Sequence, residues 1–92
     1  MMTFKQLSLK LYDKNYRRNT SARMTEDENG NLVKIYDFEH KRRLDMFSVY
    51  LDEFDQVLYA EFTKVELNRS TNKFSQQVTK LTNNAMIEKF LA

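Results

Sequence analysis

Apolar residues recur along this chain with two different periods, and the change of period divides it into elements. In residues 3–17, Phe4, Leu7 and Leu11 fall at spacings of three and four, with Tyr12 beside them, which predicts a helix with one inward stripe. Thr3 is placed to cap it. "ARMTEDENGNLVKIYDF" then predicts a hairpin, with strands over roughly 21–28 and 31–39. Its turn falls at Asn29-Gly30, a pair suited to a type I′ turn because both central positions of that turn need φ > 0. Residues 44–66 fit both periods. As a helix, Leu44, Phe47, Leu51, Phe54, Leu58, Phe62 and Val65 form a stripe; as strands, Phe47, Val49 and Leu51 alternate with Met46, Ser48 and Tyr50. The density of Val, Tyr, Phe and Thr favours two strands joined at "DEFDQ". In "STNKFSQQVTKLTNNAMIEKFLA", Phe74, Val78, Leu81 and Ala85 predict a second helix, capped by Ser70 or Thr71, with Lys73, Gln77, Lys80 and Asn84 on its wet side.

The expected architecture is α+β: helix, four-stranded antiparallel meander, helix, with both helices packed on one face of the sheet. Ninety-two residues make a single domain, 1–92. Proline is absent, glycine occurs once, and 41% of residues are hydrophobic, a composition that argues against a disordered chain. There is no cysteine, which favours a reducing compartment. The N-terminal stretch "MMTFKQLSLKLYDK" is broken by Lys5, Gln6 and Lys10 and does not read as a signal peptide, and no apolar run approaches the ~20 residues of a membrane span. A cytoplasmic protein with no membrane partner is the expectation.

Net charge is only +2, but it is distributed unevenly. Residues 1–23 carry six bases and one acid, residues 24–67 five bases and eleven acids, and residues 68–92 four bases and one acid, giving +5, −6 and +3. Such a layout bears on partners and association rates rather than on fold. Lys10, Lys14, Arg17 and Arg18 share one face of the first predicted helix, where Arg17 and Arg18 also suit the negative end of its dipole. His40, Lys41, Arg42 and Arg43 form a basic knot between Glu39 and Asp45, in the loop expected between the second and third strands. Arg69 and Lys73, with Arg23 and Lys80, are scattered further on. Arginine suits phosphate because its planar fork donates two parallel hydrogen bonds. These residues are the candidate contacts to a partner or nucleic acid, and Tyr16, beside Arg17 and Arg18, is the tyrosine best placed to stack on a base.

Catalytic chemistry finds little to work with. One histidine and no cysteine exclude a Cys–His dyad or a His-rich metal centre within one chain, and one glycine excludes a glycine-rich phosphate loop. "EDEN" lacks the glycine position and distal glutamate of a calcium loop, and the Asp52, Glu53, Asp55 cluster reads as a polar turn. Neither an enzyme nor a cofactor is expected.

Two resemblances bear on function. The helix–strands–helix order is similar to a double-stranded-RNA-binding domain, whose phosphate clamp is a lysine cluster at the start of its second helix. The corresponding "NRSTNKFSQQ" offers only Arg69 and Lys73, and glycine-rich strand loops are missing. In size, charge density and lack of cysteine the whole chain resembles the phage-encoded anti-CRISPR proteins that block type I-F surveillance complexes. That resemblance implies a non-enzymatic inhibitor in the bacterial host cell, docking on the protein subunits and guide RNA of a ribonucleoprotein complex and blocking hybridisation to target DNA. That family has no common signature to transfer residue by residue. Basic surfaces would then meet guide RNA and the acidic middle a Lys- and Arg-rich groove. The alternative is a small RNA- or DNA-binding protein contacting phosphates through its basic helix and loop.

Overall fold

The computed structural model describes residues 2–92 and is α+β, with two helices and a six-stranded antiparallel sheet. Helix α1, Phe4–Asp13, begins as expected: the Thr3 hydroxyl accepts from the Gln6 N–H at 3.1 Å while the Gln6 side chain accepts from the Thr3 N–H at 3.0 Å, a reciprocal capping box. Leu7 and Leu11 are fully buried and Phe4 packs against the core, so the predicted stripe is correct. The helix stops earlier than the apolar spacing suggested. Asn15 takes φ 69°, the left-handed conformation that closes a helix, and its N–H donates to the Tyr12 carbonyl. Tyr16–Arg18 then form a short strand, β1, whose backbone hydrogen-bonds to a neighbouring strand instead of continuing the helical ladder.

Asn15 carries a testable consequence. Asparagine tolerates the left-handed region better than branched residues, and glycine better still. Asn15→Gly is expected to leave stability unchanged or raise it by about 0.5 kcal/mol, whereas Asn15→Val lowers it by roughly 1–2 kcal/mol in urea unfolding.

The remaining strands are β2, Arg23–Glu26, β3, Leu32–His40, β4, Asp45–Leu51, β5, Val57–Asn68, and β6, Lys73–Leu81; helix α2, Asn84–Phe90, follows. β3 to β6 run side by side in chain order, and β1 and β2 both pair with the outer edge of β3. Residues 44–66 are strands, as the β-branched and aromatic content indicated. The β2–β3 connection differs from a type I′ turn: of Asn29 and Gly30 only Gly30 has positive φ, 79°. Three residues, Glu28–Gly30, separate Asp27 from Asn31, whose carbonyl accepts from the Asp27 N–H, and the Asp27 carboxylate accepts from the N–H groups of Asn29 and Asn31, each at 2.9 Å. The β4–β5 connection repeats the device: the Asp52 carboxylate accepts from Phe54 and Gln56 N–H at 2.8 and 2.9 Å, and Asp55 takes the left-handed position at φ 64°. "DENGN" and "DEFDQ" are thus the same turn, the second with aspartate where the first has glycine.

The second predicted helix is the largest correction. Residues 73–81 are strand β6, paired with β5 over nine residues from Asn68↔Lys73 to Ala60↔Leu81. Ser70 and Thr71 cap nothing; they sit in the β5–β6 turn, their N–H groups donating to the Asn68 side chain, with Asn72 at φ 56°. Only seven residues near the end of the predicted helix, Asn84–Phe90, fold as α2, capped by Asn83, whose side chain accepts from the Met86 N–H at 2.9 Å.

Both helices cover the same sheet face. Phe38↔Phe47 and Phe47↔Phe62 are neighbours on that face. Phe4 of α1 stacks on Tyr36 with ring centroids 4.7 Å apart, and Phe90 of α2 packs on Phe62 at 4.8 Å. Val49, Leu51, Ala60 and Ile87 complete this core with no exposed surface. Beyond Lys64, which faces Asp45, β5 and β6 leave β4 behind and continue as a two-stranded arm. Four further residues at ~3.3 Å each carry Asn68 roughly 13 Å past the last β4 pair. No helix among the described residues is long and apolar enough to cross a membrane.

Candidate nucleic-acid interface

Antiparallel topology sorts the charges by end. The C-terminus of α1, the start of β1, the β3–β4 loop and the β5–β6 arm tip all lie at one end of the sheet. This end carries Lys14, Arg17, Arg18, His40, Lys41, Arg42, Arg43, Arg69 and Lys73. The β2–β3 and β4–β5 turns lie at the opposite end with Glu26, Asp27, Glu28, Asp52, Glu53 and Asp55. The start of α1 is there too, since Thr3 forms a bridge to Gln56. The +5, −6, +3 layout of the chain becomes a separation of charge along the strand direction.

At the basic end, two clusters distant in sequence are joined. Lys41 donates its backbone N–H to the Asn15 carbonyl at 3.0 Å, and the register Tyr16↔His40, Arg17↔Glu39, Arg18↔Phe38 fixes β1 beside the knot. Arg17, Arg18, Asn19, Thr20, Glu39, His40 and Lys41 line one open concavity. Arg17 donates to the carbonyls of Tyr12 and Tyr16 at 3.1 and 2.8 Å and lies over the Tyr12 ring at 5.5 Å. Arg18 lies over the Tyr36 ring at 4.9 Å. Both guanidinium groups are held in place by aromatic faces, which lowers the entropy lost when they meet an anion.

The knot is an organised loop. His40 Nδ1 accepts from the N–H groups of Arg42 and Arg43 at 3.0 and 3.1 Å, so the ring acts as the loop's cap. Arg43 forms an ion pair with buried Asp45 at 2.9 Å. Tyr16 lies beneath, with a phenol pushed above its ordinary pKa by burial and then by the Asp45 carboxylate. Arg43 is therefore partly a structural residue. Among the described residues Lys14, Arg17, Arg18, Lys41 and Arg42 form no ion pair and are exposed.

The other expected contacts are distributed differently. Lys10 is exposed one turn back along α1 from Lys14. Arg69 and Lys73 sit at the arm tip and do not join the knot; the expected start of a second helix there is a hairpin turn. Tyr16 is 3% exposed and packs edge-on to His40, so it is closed to base stacking, a correction to the sequence expectation. Tyr12 and Tyr36, which carry the two arginines, were not marked by local spacing: Tyr12 precedes Arg17 by a helix terminus, and Tyr36 reaches Arg18 only across the sheet. No protein-family model matches this chain, and no curated protein or solved structure matches it either.

Proposed function

We propose that this is a non-enzymatic binding protein whose basic end engages the phosphate backbone of a nucleic acid. The observation that carries the reading is the convergence of Arg17 and Arg18, braced on Tyr12 and Tyr36, with the Lys41–Arg42 loop at one end of the sheet. Cations without intramolecular carboxylate partners favour phosphate as the missing counter-charge, and phosphate contacts position a protein without requiring sequence readout. Anisotropy titration of labelled duplex and single-stranded oligonucleotides over a salt series tests it. Binding should weaken by about 0.9 log units per log unit of salt for each duplex phosphate contacted, or about 0.7 for a single strand. Lys41→Glu with Arg42→Glu should flatten that slope by about 2 and leave the melting temperature unchanged. Salt-independent binding, or a double variant that binds like the parent, overturns it.

The carboxylate end favours a second reading. A ribonucleoprotein offers both signs of charge: guide RNA for the basic end, and a Lys- and Arg-lined protein groove for the Asp27 and Asp52 turns. In this reading the protein is an inhibitor docked on an RNA-guided surveillance complex of the bacterial cytoplasm, of the kind the anti-CRISPR resemblance implies, and blocks target hybridisation. Retention of such a complex on the tagged protein after nuclease treatment supports it. Recovery of nucleic acid alone, lost on nuclease treatment, favours direct phosphate binding.

A further inference from the structure

The arm presents a surface that the phosphate-binding reading does not use. β6 is an outer edge of the sheet, paired with β5 on one side only. Its residues 73–80 are exposed on both faces. An edge strand of this length is a template for pairing with another chain unless something guards it, and Lys73 and Lys80 are its only charged residues. On the face turned away from the helices, Val65, Leu67, Phe74 and Val78 form one apolar strip; Phe74 is 62% exposed and Val78 57%. The opposite sheet edge is short and interrupted, being β1 and β2 with a break between them.

We infer that two copies of this chain associate through β6, pairing antiparallel about a two-fold axis at Gln77 so that the two sheets become one. Only this symmetric register pairs all of Lys73–Leu81 with itself. It sets Phe74 opposite Lys80 of the second copy, Ser75 opposite Thr79, Gln76 opposite Val78, and Gln77 opposite Gln77. The four apolar side chains Phe74 and Val78 from both strands then lie contiguous on the helix-free face, extending the strip across the axis. Each Lys80, already over the Tyr59 ring at 4.3 Å, lays its stem beside a Phe74 ring. A register shifted by one residue toward the arm tip would put Lys73 opposite Lys80, a like-charge pair that antiparallel sheets disfavour.

Charge complementarity supports the same arrangement. β6 ends opposite Ala60, while β5 continues back to Val57 and the carboxylate turn. In the antiparallel pair, Lys73 of one copy sits opposite Leu81, the last β6 residue of the other, and the turn beyond it, with Arg69, runs on toward that copy's Asp52, Glu53 and Asp55; symmetry repeats the approach. This gives Arg69 and Lys73, which do not join the knot, a partner of opposite sign. The nine-residue edge is ~30 Å long and the sheet wall about 10 Å thick. The shared wall is therefore on the order of 300 Å² in projection, below the standard interface, so the dimer is reversible and concentration-dependent.

The chain has no cysteine, so one residue can report the register. In Gln77→Cys the two introduced thiols face each other across the axis at an antiparallel Cα separation of about 4.5–5.5 Å, within disulfide range. Under diamide it should become a covalent dimer in near-quantitative yield, while Lys5→Cys, on exposed α1, stays monomeric. Sedimentation of the unmodified protein should show a mass rising from 11.1 kDa toward twice that value with concentration. Val78→Lys should weaken association roughly tenfold or more with an unchanged melting temperature, because Val78 is exposed in the single chain. A monomer at every concentration overturns the inference. So does a dimer that Val78→Lys leaves intact, or Gln77→Cys cross-linking no better than Lys5→Cys.

Discussion

Phe38→Ala should cost about 3–5 kcal/mol, the range for deleting a fully buried phenyl group. Phe38 has no exposed surface and joins three elements: its ring meets Phe4 and Tyr12 of α1 with centroids 6.1 Å away in each case, and Phe38 pairs with Phe47 on the neighbouring strand. The loss therefore removes dispersion contacts and the docking site of the helix together, and aromatic pairs add about 0.5–1.5 kcal/mol beyond their buried area. A chain of this length has a total stability of roughly 5–14 kcal/mol, so the variant has lost about a fifth of it or more and is largely unfolded at the low end. Urea unfolding followed by circular dichroism reads this as a lower midpoint with little change of slope. Phe54→Ala is the matched control. Phe54 is 75% exposed in the β4–β5 turn, and its loss should stay within about 0.5 kcal/mol. Equal effects of the two substitutions would contradict the assigned core.

Why the alternation of Phe47, Val49 and Leu51 was legible while Phe74 was misread has one explanation. Hydrophobic periodicity records burial, and it specifies an element only where one face is buried. β4 alternates because its residues 47, 49 and 51 enter the core beneath the helices. The arm buries neither face, so β6 carries no alternation; Phe74, Val78 and Leu81 happen to fall at helical spacing, and only Leu81 is buried. What makes residues 73–81 a strand is the nine-residue ladder to β5, which is non-local and leaves no periodic trace. The same holds at the other end of the chain. Tyr16–Arg18 continue a helical pattern on paper, yet the left-handed Asn15 and the pairing with β3 redirect them. Local signals, by contrast, were readable: Thr3 as the cap of α1, and a turn at Asn29-Gly30.

For the candidate site, the basic residues were visible one by one, but their convergence was not. Lys14 to Arg18 and His40 to Arg43 lie more than twenty residues apart, and only the β1–β3 register joins them. The sequence also does not distinguish Arg43, tied to Asp45, from Arg42, which is not. That distinction decides which substitutions probe binding and which probe folding. Reversing Arg43 would leave Asp45 buried beside Tyr16 without its counter-charge, confounding any binding measurement.

The same logic gives an unequal outcome for the two halves of the ion pair on the helix-free face. Arg23 grips Asp37 with two hydrogen bonds, Nε to Oδ2 at 2.7 Å and Nη2 to Oδ1 at 2.8 Å, and the Ser48 hydroxyl donates to Asp37 at 2.7 Å. Asp37 is 8% exposed, whereas the Arg23 side chain is 54% exposed. Exposure alone would rank Asp37 as the costlier loss. The charges say otherwise. Asp37→Ala leaves Arg23 free to return to water and strands only the Ser48 hydroxyl, a cost of about 1–3 kcal/mol. Arg23→Ala leaves a carboxylate at a nearly closed site without its counter-charge; breaking a fully buried pair this way costs about 3–5 kcal/mol, and the half-exposed Arg23 puts this one toward the lower end. Arg23→Ala should therefore be the more destabilising at neutral pH. Its pH dependence separates this cause from lost packing. The Arg23 guanidinium holds the Asp37 carboxyl below the usual carboxylate range, with Ser48 assisting against burial. A depressed folded pKa gives stability that is complete above the unfolded value of about 3.9 and lost as pH falls through the folded one. Without Arg23 the carboxyl titrates higher, and its protonation removes the unpaired charge. The stability gap between the parent and Arg23→Ala should then be widest at pH 7, begin to narrow as pH falls through the variant's raised carboxyl pKa, and keep narrowing below about pH 4 as the parent loses its own pair. A gap that stays constant across this range would mean that Arg23 acts through its stem's packing rather than through its charge.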